Sequence, residues 1–127
     1  MRLVIIILLI VVVFYILHYL FPVIQVCGDS MYPTYFDGEI LIGTRIYKEN
    51  NLEVGDIVLY DSPTEKGRTV IKRIDHFMND HDGKLYIYCL GDNTGHSYDS
   101  RAYGYVSSKN IVCKVFDQRR NLNNVCD

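Results

Sequence analysis

Residues 3–21 form an unbroken apolar run that carries no charge, with His18 as its one strongly polar member. At roughly 1.5 Å per helical residue the run is about 28 Å long, close to the hydrocarbon thickness of a bilayer. The pattern predicts one membrane-spanning helix. Competing readings make demands that the chain does not meet. A cleaved signal peptide has a shorter apolar stretch, roughly 7 to 15 residues, ending at a small-residue cleavage site. Here the run leaves through Phe21-Pro22-Val23-Ile24-Gln25-Val26, with no Ala or Gly pair. A lipidated cysteine wants a small residue before it, and Cys27 follows Val26. A strip apolar on all sides does not suit the core helix of so small a domain. Residues 1–22 are therefore expected to be a retained anchor, with Tyr15, Tyr19 and Phe21 either in an interfacial aromatic belt or simply facing lipid.

Beyond the anchor the period changes to two, and helical periodicity is never sustained. Strands are expected at 39–46, 57–61, 69–77, 84–90 and 110–116. Asp37-Gly38, Asn50-Asn51, Gly55-Asp56 and Asp82-Gly83 supply turn chemistry between them. Asp82-Gly83 should close a hairpin between the third and fourth strands. The fold class is mainly β: a small, partly closed sheet or barrel at 23–117, preceded by one transmembrane helix. Residues 118–127 read as a polar, mobile C-terminal tail.

Charge narrows the partners. The only fixed positive side chain ahead of the apolar run is Arg2, so the positive-inside rule keeps the N-terminus cytoplasmic and puts the β domain on the extracytoplasmic side. The net charge of −2 argues against a nucleic-acid binder. Cys27, Cys89, Cys113 and Cys126 show no Cys-x-x-Cys spacing, so neither a zinc site nor any other metal or cofactor is expected. Disulfides are permitted outside the cytoplasm, but spacing does not say which cysteines would pair.

Candidate chemistry begins at Ser30, in Ser30-Met31-Tyr32-Pro33-Thr34 after Gly28-Asp29. Gly permits close backbone approach and Pro fixes the exit direction, so the serine can be held on a stiff loop; the plainer reading is a turn residue. A serine hydroxyl needs a group to take its proton. On a strand through 69–77, Lys72 shares a face with Val70 and Ile74, where desolvation lowers the amine toward neutrality. An isolated lysine would instead carry its ammonium out to solvent, as Arg73 on the opposite face is expected to do. The loop from Gly91-Asp92-Asn93 to Ser97-Tyr98-Asp99-Ser100-Arg101 completes the set. In an extended stretch Ser97, Asp99 and Arg101 point the same way, so Asp99 and Arg101 can pair while Ser97 meets the lysine amine.

In order and wording, four blocks resemble type I signal peptidases and their organellar relatives: Ser30-Met31-Tyr32-Pro33-Thr34, Gly55-Asp56-Ile57-Val58, Lys72-Arg73-Ile74, and Gly91-Asp92-Asn93 with Ser97-Tyr98-Asp99-Ser100-Arg101 and Gly104. The resemblance covers about residues 1–116. It implies a membrane-anchored serine endopeptidase that removes signal peptides from exported preproteins, with Ser30 as nucleophile and Lys72 as base. Ser97 would orient the lysine, Asp99 and Arg101 would brace the site, and Gly28, Asp29 and Met31 would contact substrate. Its partners would be signal-peptide-bearing preproteins, with small residues at the first and third positions before the cut, and the lipid bilayer.

Two departures from the family pattern stand out. Only 16 residues separate Ile74 from Gly91, leaving no room for the accessory β domain of some bacterial members, and Asp75-His76-Phe77-Met78 replaces an apolar turn with Gly and Pro. Gly28 stands where some members place an oxyanion-binding serine, so the Ser30 amide is the one donor the sequence identifies. Other readings are a Ser30–His96–Asp99 triad, a self-cleaving or client-specific serine/lysine protease, and a catalytically silent tethered β module.

Overall fold

The computed structural model of the 127-residue chain describes residues 1–117; the tail at 118–127, including Cys126, lies outside the described residues. Helix α1 spans Arg2–Leu20, with no residue buried against the rest of the chain and a mean hydropathy of 3.1 over its apolar window. It is long and apolar enough to cross a membrane.

Seven strands follow: β1 Val23–Gln25, β2 Ile40–Thr44, β3 Ile57–Asp61, β4 Thr69–Asn79, β5 Leu85–Leu90, β6 Val106–Ser107 and β7 Ile111–Val115. All pairings are antiparallel, in the order β1-β2-β7-β3-β4-β5-β6, so the sheet has edges and does not close. The mainly β expectation holds, and each of the five anticipated strands forms with its ends displaced by at most two residues. β1 and β6 come in addition, as does a one-turn helix, α2, at Ser100–Tyr103. The expected β4–β5 hairpin is closed at Asp80–Lys84, with Gly83 at positive φ and the Asp80 carboxylate accepting from the amides of Asp82 and Lys84.

The apolar residues divide between the two faces of the sheet. One cluster joins Ile24, Val26, Met31, Tyr35, Leu41, Ile57, Ile71, Cys113 and Val115. The other joins Leu52, Val58, Tyr60, Ile74, Ile87, Cys89, Val106 and Ile111. Central strand β3 feeds both, which is why Ile57-Val58-Leu59-Tyr60 is apolar without alternation. The Asp75-His76 departure costs no strand, because β4 absorbs it as a register shift against β5 between Ile74 and His76.

Candidate active site

Lys72 lies on β4 opposite Val58, on the face of the second core cluster, between Val70 and Ile74 as the strand period requires. Only 4% of its surface is exposed. Its Nζ is 2.7 Å from the Oγ of Ser30, 42 positions earlier in the chain. Burial is the main influence on the amine and lowers its pKa, reinforced by the positive charges of Arg68 and Arg101; Asp99 and Asp92 oppose the shift. An amine that sheds its proton readily, held within hydrogen-bond reach of a hydroxyl, can accept that hydroxyl's proton.

The serine loop is fastened at several points. The Gly28 amide donates to Asp37 at 2.7 Å, the Asn93 amide to the Ser30 carbonyl at 2.9 Å, and the Asn93 side chain to the Asp29 carbonyl at 3.0 Å. Thr34 donates to Asp92, which also takes a two-pronged bond from Arg73 at 2.8 and 2.9 Å. Arg73 therefore departs from the expectation that it reaches freely into solvent: its third nitrogen, Nη1, donates to the Gly55 carbonyl at 2.9 Å. Burial would raise the Asp92 carboxyl, but the bonds from Arg73 and Thr34 prevail and hold it below the usual carboxylate range. Three sequence blocks meet at this carboxylate. The role of the Arg73–Asp92–Thr34 brace escaped sequence reasoning, although Gly91-Asp92-Asn93 had marked the place.

Asp99 is wholly buried and does not sit in an extended stretch. It is the N-cap of α2, accepting from the Arg101 amide, the Arg101 guanidinium and the Gly91 amide. Asp99 and Arg101 thus pair, but across the first turn of a helix rather than along a strand face. Burial pushes the Asp99 carboxyl up, yet the Arg101 guanidinium, the Gly91 amide, the Ser97 hydroxyl and the Arg101 amide outweigh it and hold it well below the ordinary range.

Ser97 Oγ is buried close enough to this carboxylate to help lower it, but among the described residues neither Asp99 nor Lys72 stands in full hydrogen-bond geometry with it. Gly91 lets it approach: a Cβ there would stand 2.5 Å from Ser97 Cβ and 2.7 Å from the Ser30 carbonyl oxygen.

Ser30, Lys72, Gly28 and Asp29 line one cleft of about 660 Å³, whose walls include β1 residues Val23–Gln25 and the first half of β4. Met31, expected at the substrate, is fully buried in the first core cluster and is not among the residues lining this cleft. His96 lines the cleft but makes no hydrogen bond to Ser30 among the described residues, and Asp99 is committed to Arg101 and Gly91. The conventional triad therefore has no geometric support. Cys27, Cys89 and Cys113 are free thiols, and no group of three His, Cys, Asp or Glu suited to a metal occurs among the described residues.

Residues 1–75 match the family described as signal peptidase, peptidase S26. The chain is 32% identical over 113 residues to the mitochondrial inner membrane protease subunit 1 of Schizosaccharomyces pombe, covering 76% of this chain and 72% of that protein. It is likewise 32% identical over 105 residues to the mitochondrial inner membrane protease subunit 2 of Danio rerio, covering 67% of this chain and 56% of that protein. With its apolar helix α1, the chain is a membrane protein that belongs to the S26 signal peptidase family.

Proposed function

We propose that the chain is a serine endopeptidase that removes signal peptides from preproteins at the membrane, with Ser30 as nucleophile and Lys72 as general base. The observation that carries this reading is the 2.7 Å approach of the amine of Lys72, a residue only 4% exposed, to a serine hydroxyl. Neutral Lys72 takes the hydroxyl proton as Oγ attacks the scissile carbonyl, then passes it to the leaving amine as the peptide bond breaks. A water deprotonated by the same amine cleaves the resulting ester. The Ser30 backbone amide is the donor we assign to the developing oxyanion. Asp99, Arg101, Asp92 and Arg73 act by holding the loops that carry Ser30 and Ser97.

An extended substrate fits the cleft as an added strand. β1 stands at the margin of the sheet, and β4 pairs with β5 only from Arg73 onward, so Thr69–Lys72 keep an open backbone edge beside the serine. The family resemblance points to small residues before the cut. Arg2 ahead of the apolar helix favours a cytoplasmic N-terminus and an extracytoplasmic catalytic domain.

Cleavage of an Ala-x-Ala model preprotein in detergent by wild type, Ser30→Ala and Lys72→Ala tests the assignment. Each variant is expected to lose at least about 10³-fold in kcat/KM. Equal rates from all three would overturn it.

A further inference from the structure

We infer that Arg45 and the adjoining groove on α1 form a binding site for one bilayer phospholipid, with the phosphate on the guanidinium and an acyl chain along the helix. A groove of about 700 Å³ runs beside α1, lined by Val12, Tyr15, Ile16, His18 and Tyr19 on the helix and by Pro22, Val23 and Arg45 beyond it, with His18 near the charged end and the deeper wall apolar. From Val12 to Tyr19 is about 10 Å of helix, so the groove descends from the helix exit into hydrocarbon depth.

Its charged end is fixed. The Arg45 amide donates to the Leu20 carbonyl at 2.9 Å, tying the end of β2 to the end of α1. The guanidinium lies over the Tyr19 ring, 4.4 Å from its centre. Among the described residues no carboxylate pairs with it. A planar five-donor cation with no carboxylate partner among the described residues, at the depth where an emerging helix meets headgroups, matches a phosphate diester in charge and in geometry. The apolar wall below matches the chain attached to it. Pro22, Val23 and Arg45 also line the catalytic cleft, so the bound headgroup would stand at its rim.

The site rests on α1 being an anchor, not on the peptidase chemistry, and its test has no cleavage step. The full chain in detergent is mixed with phosphatidylcholine, phosphatidylglycerol or a phosphate-free galactosyl diacylglycerol, and retained lipid is counted by native mass spectrometry. Wild type should hold one molecule of either phospholipid and release the galactolipid. Arg45→Gln should weaken phospholipid retention about tenfold or more, and Arg45→Lys should fall between. Equal melting temperatures of wild type and Arg45→Gln in lipid-free detergent would show that the loss is one of binding. Retention of the galactolipid on a par with phospholipid would overturn the proposal, as would undiminished retention by Arg45→Gln. Should Arg45→Gln not fold, the wild-type comparison of the three lipids decides alone.

Discussion

Replacing Gly91 by Ala introduces one methyl group where three atoms converge. The new Cβ would be 2.5 Å from Ser97 Cβ and 2.7 Å from the Ser30 carbonyl oxygen, and closest of all to Ser97 Oγ. Carbon atoms in contact sit at about 3.5 Å or more, so Ser97 must retreat by roughly 1 Å. A carbon and a carbonyl oxygen need about 3.3 Å, which asks the Ser30 backbone for roughly 0.6 Å more. That carbonyl accepts from the Asn93 amide at 2.9 Å, so the shift would loosen the bond that holds the Ser30 loop against the 91–99 loop. A misplacement of about 1 Å can cost about 10²-fold in rate even when its source lies away from the reacting atoms, and the roughly 0.6 Å shift of Ser30 with the roughly 1 Å retreat of Ser97 is of that order; overpacking of this kind typically costs about 1–3 kcal/mol in stability. Gly91→Ala is therefore expected to lower kcat/KM about 100-fold and to melt several degrees lower. Peptide cleavage and thermal unfolding in one detergent provide both readings. A variant within about twofold of wild type in kcat/KM would refute the reasoning, because the serine would then tolerate displacement.

Cleavage should rise with pH and level off at an apparent pKa below the ordinary lysine value of 10.5, since burial favours the uncharged amine of Lys72; a rising limb that survives in Lys72→Met would contradict this. Because the folded pKa lies below the unfolded one, Lys72 destabilises the fold fully at pH below its folded pKa, and this cost fades as pH climbs to the unfolded value. Lys72→Met should accordingly be inactive yet melt higher at neutral pH, with the gap closing toward pH ~10, as calorimetry across pH would record. Asp99 has the opposite sign: its depressed carboxyl stabilises the fold above about pH 4 and loses that contribution as pH falls toward its folded value. Asp99→Asn should cost about 1–3 kcal/mol at pH 7 by weakening acceptance from the Gly91 and Arg101 amides, with the deficit shrinking below pH ~4 in urea titrations.

Strands β2, β3, β4, β5 and β7 were legible because each is five or more residues long and carries either alternation or a doubly buried apolar run. β1 and β6, with three and two residues, are too short to show a period; they exist because tertiary pairing selects them. α2 was hidden for a similar reason: four residues show no helical repeat, and Asp99-Ser100-Arg101 reads equally well as strand. In the site, the face shared by Val70, Lys72 and Ile74 followed from strand geometry alone. The meeting of Ser30 with Lys72 did not, since no spacing rule reaches across 42 residues; the wording of the four blocks suggested it. The Arg73–Asp92 link depends on how β4 and the 91–99 loop are brought together, which neither segment shows by itself, and the adjacency of Met31 to Ser30 says nothing about which way its side chain turns.

Only ten positions separate Leu20, the last residue of α1, from Ser30. Even drawn out straight, such a tether reaches about 33 Å, and the turn after β1 shortens it. The domain is thus leashed to the lipid surface, and a peptide bond exposed farther out in the aqueous phase is beyond its grasp whatever side chains surround it. If Ser30 is the nucleophile proposed above, selection of a cutting site becomes in part a measurement of height above the bilayer.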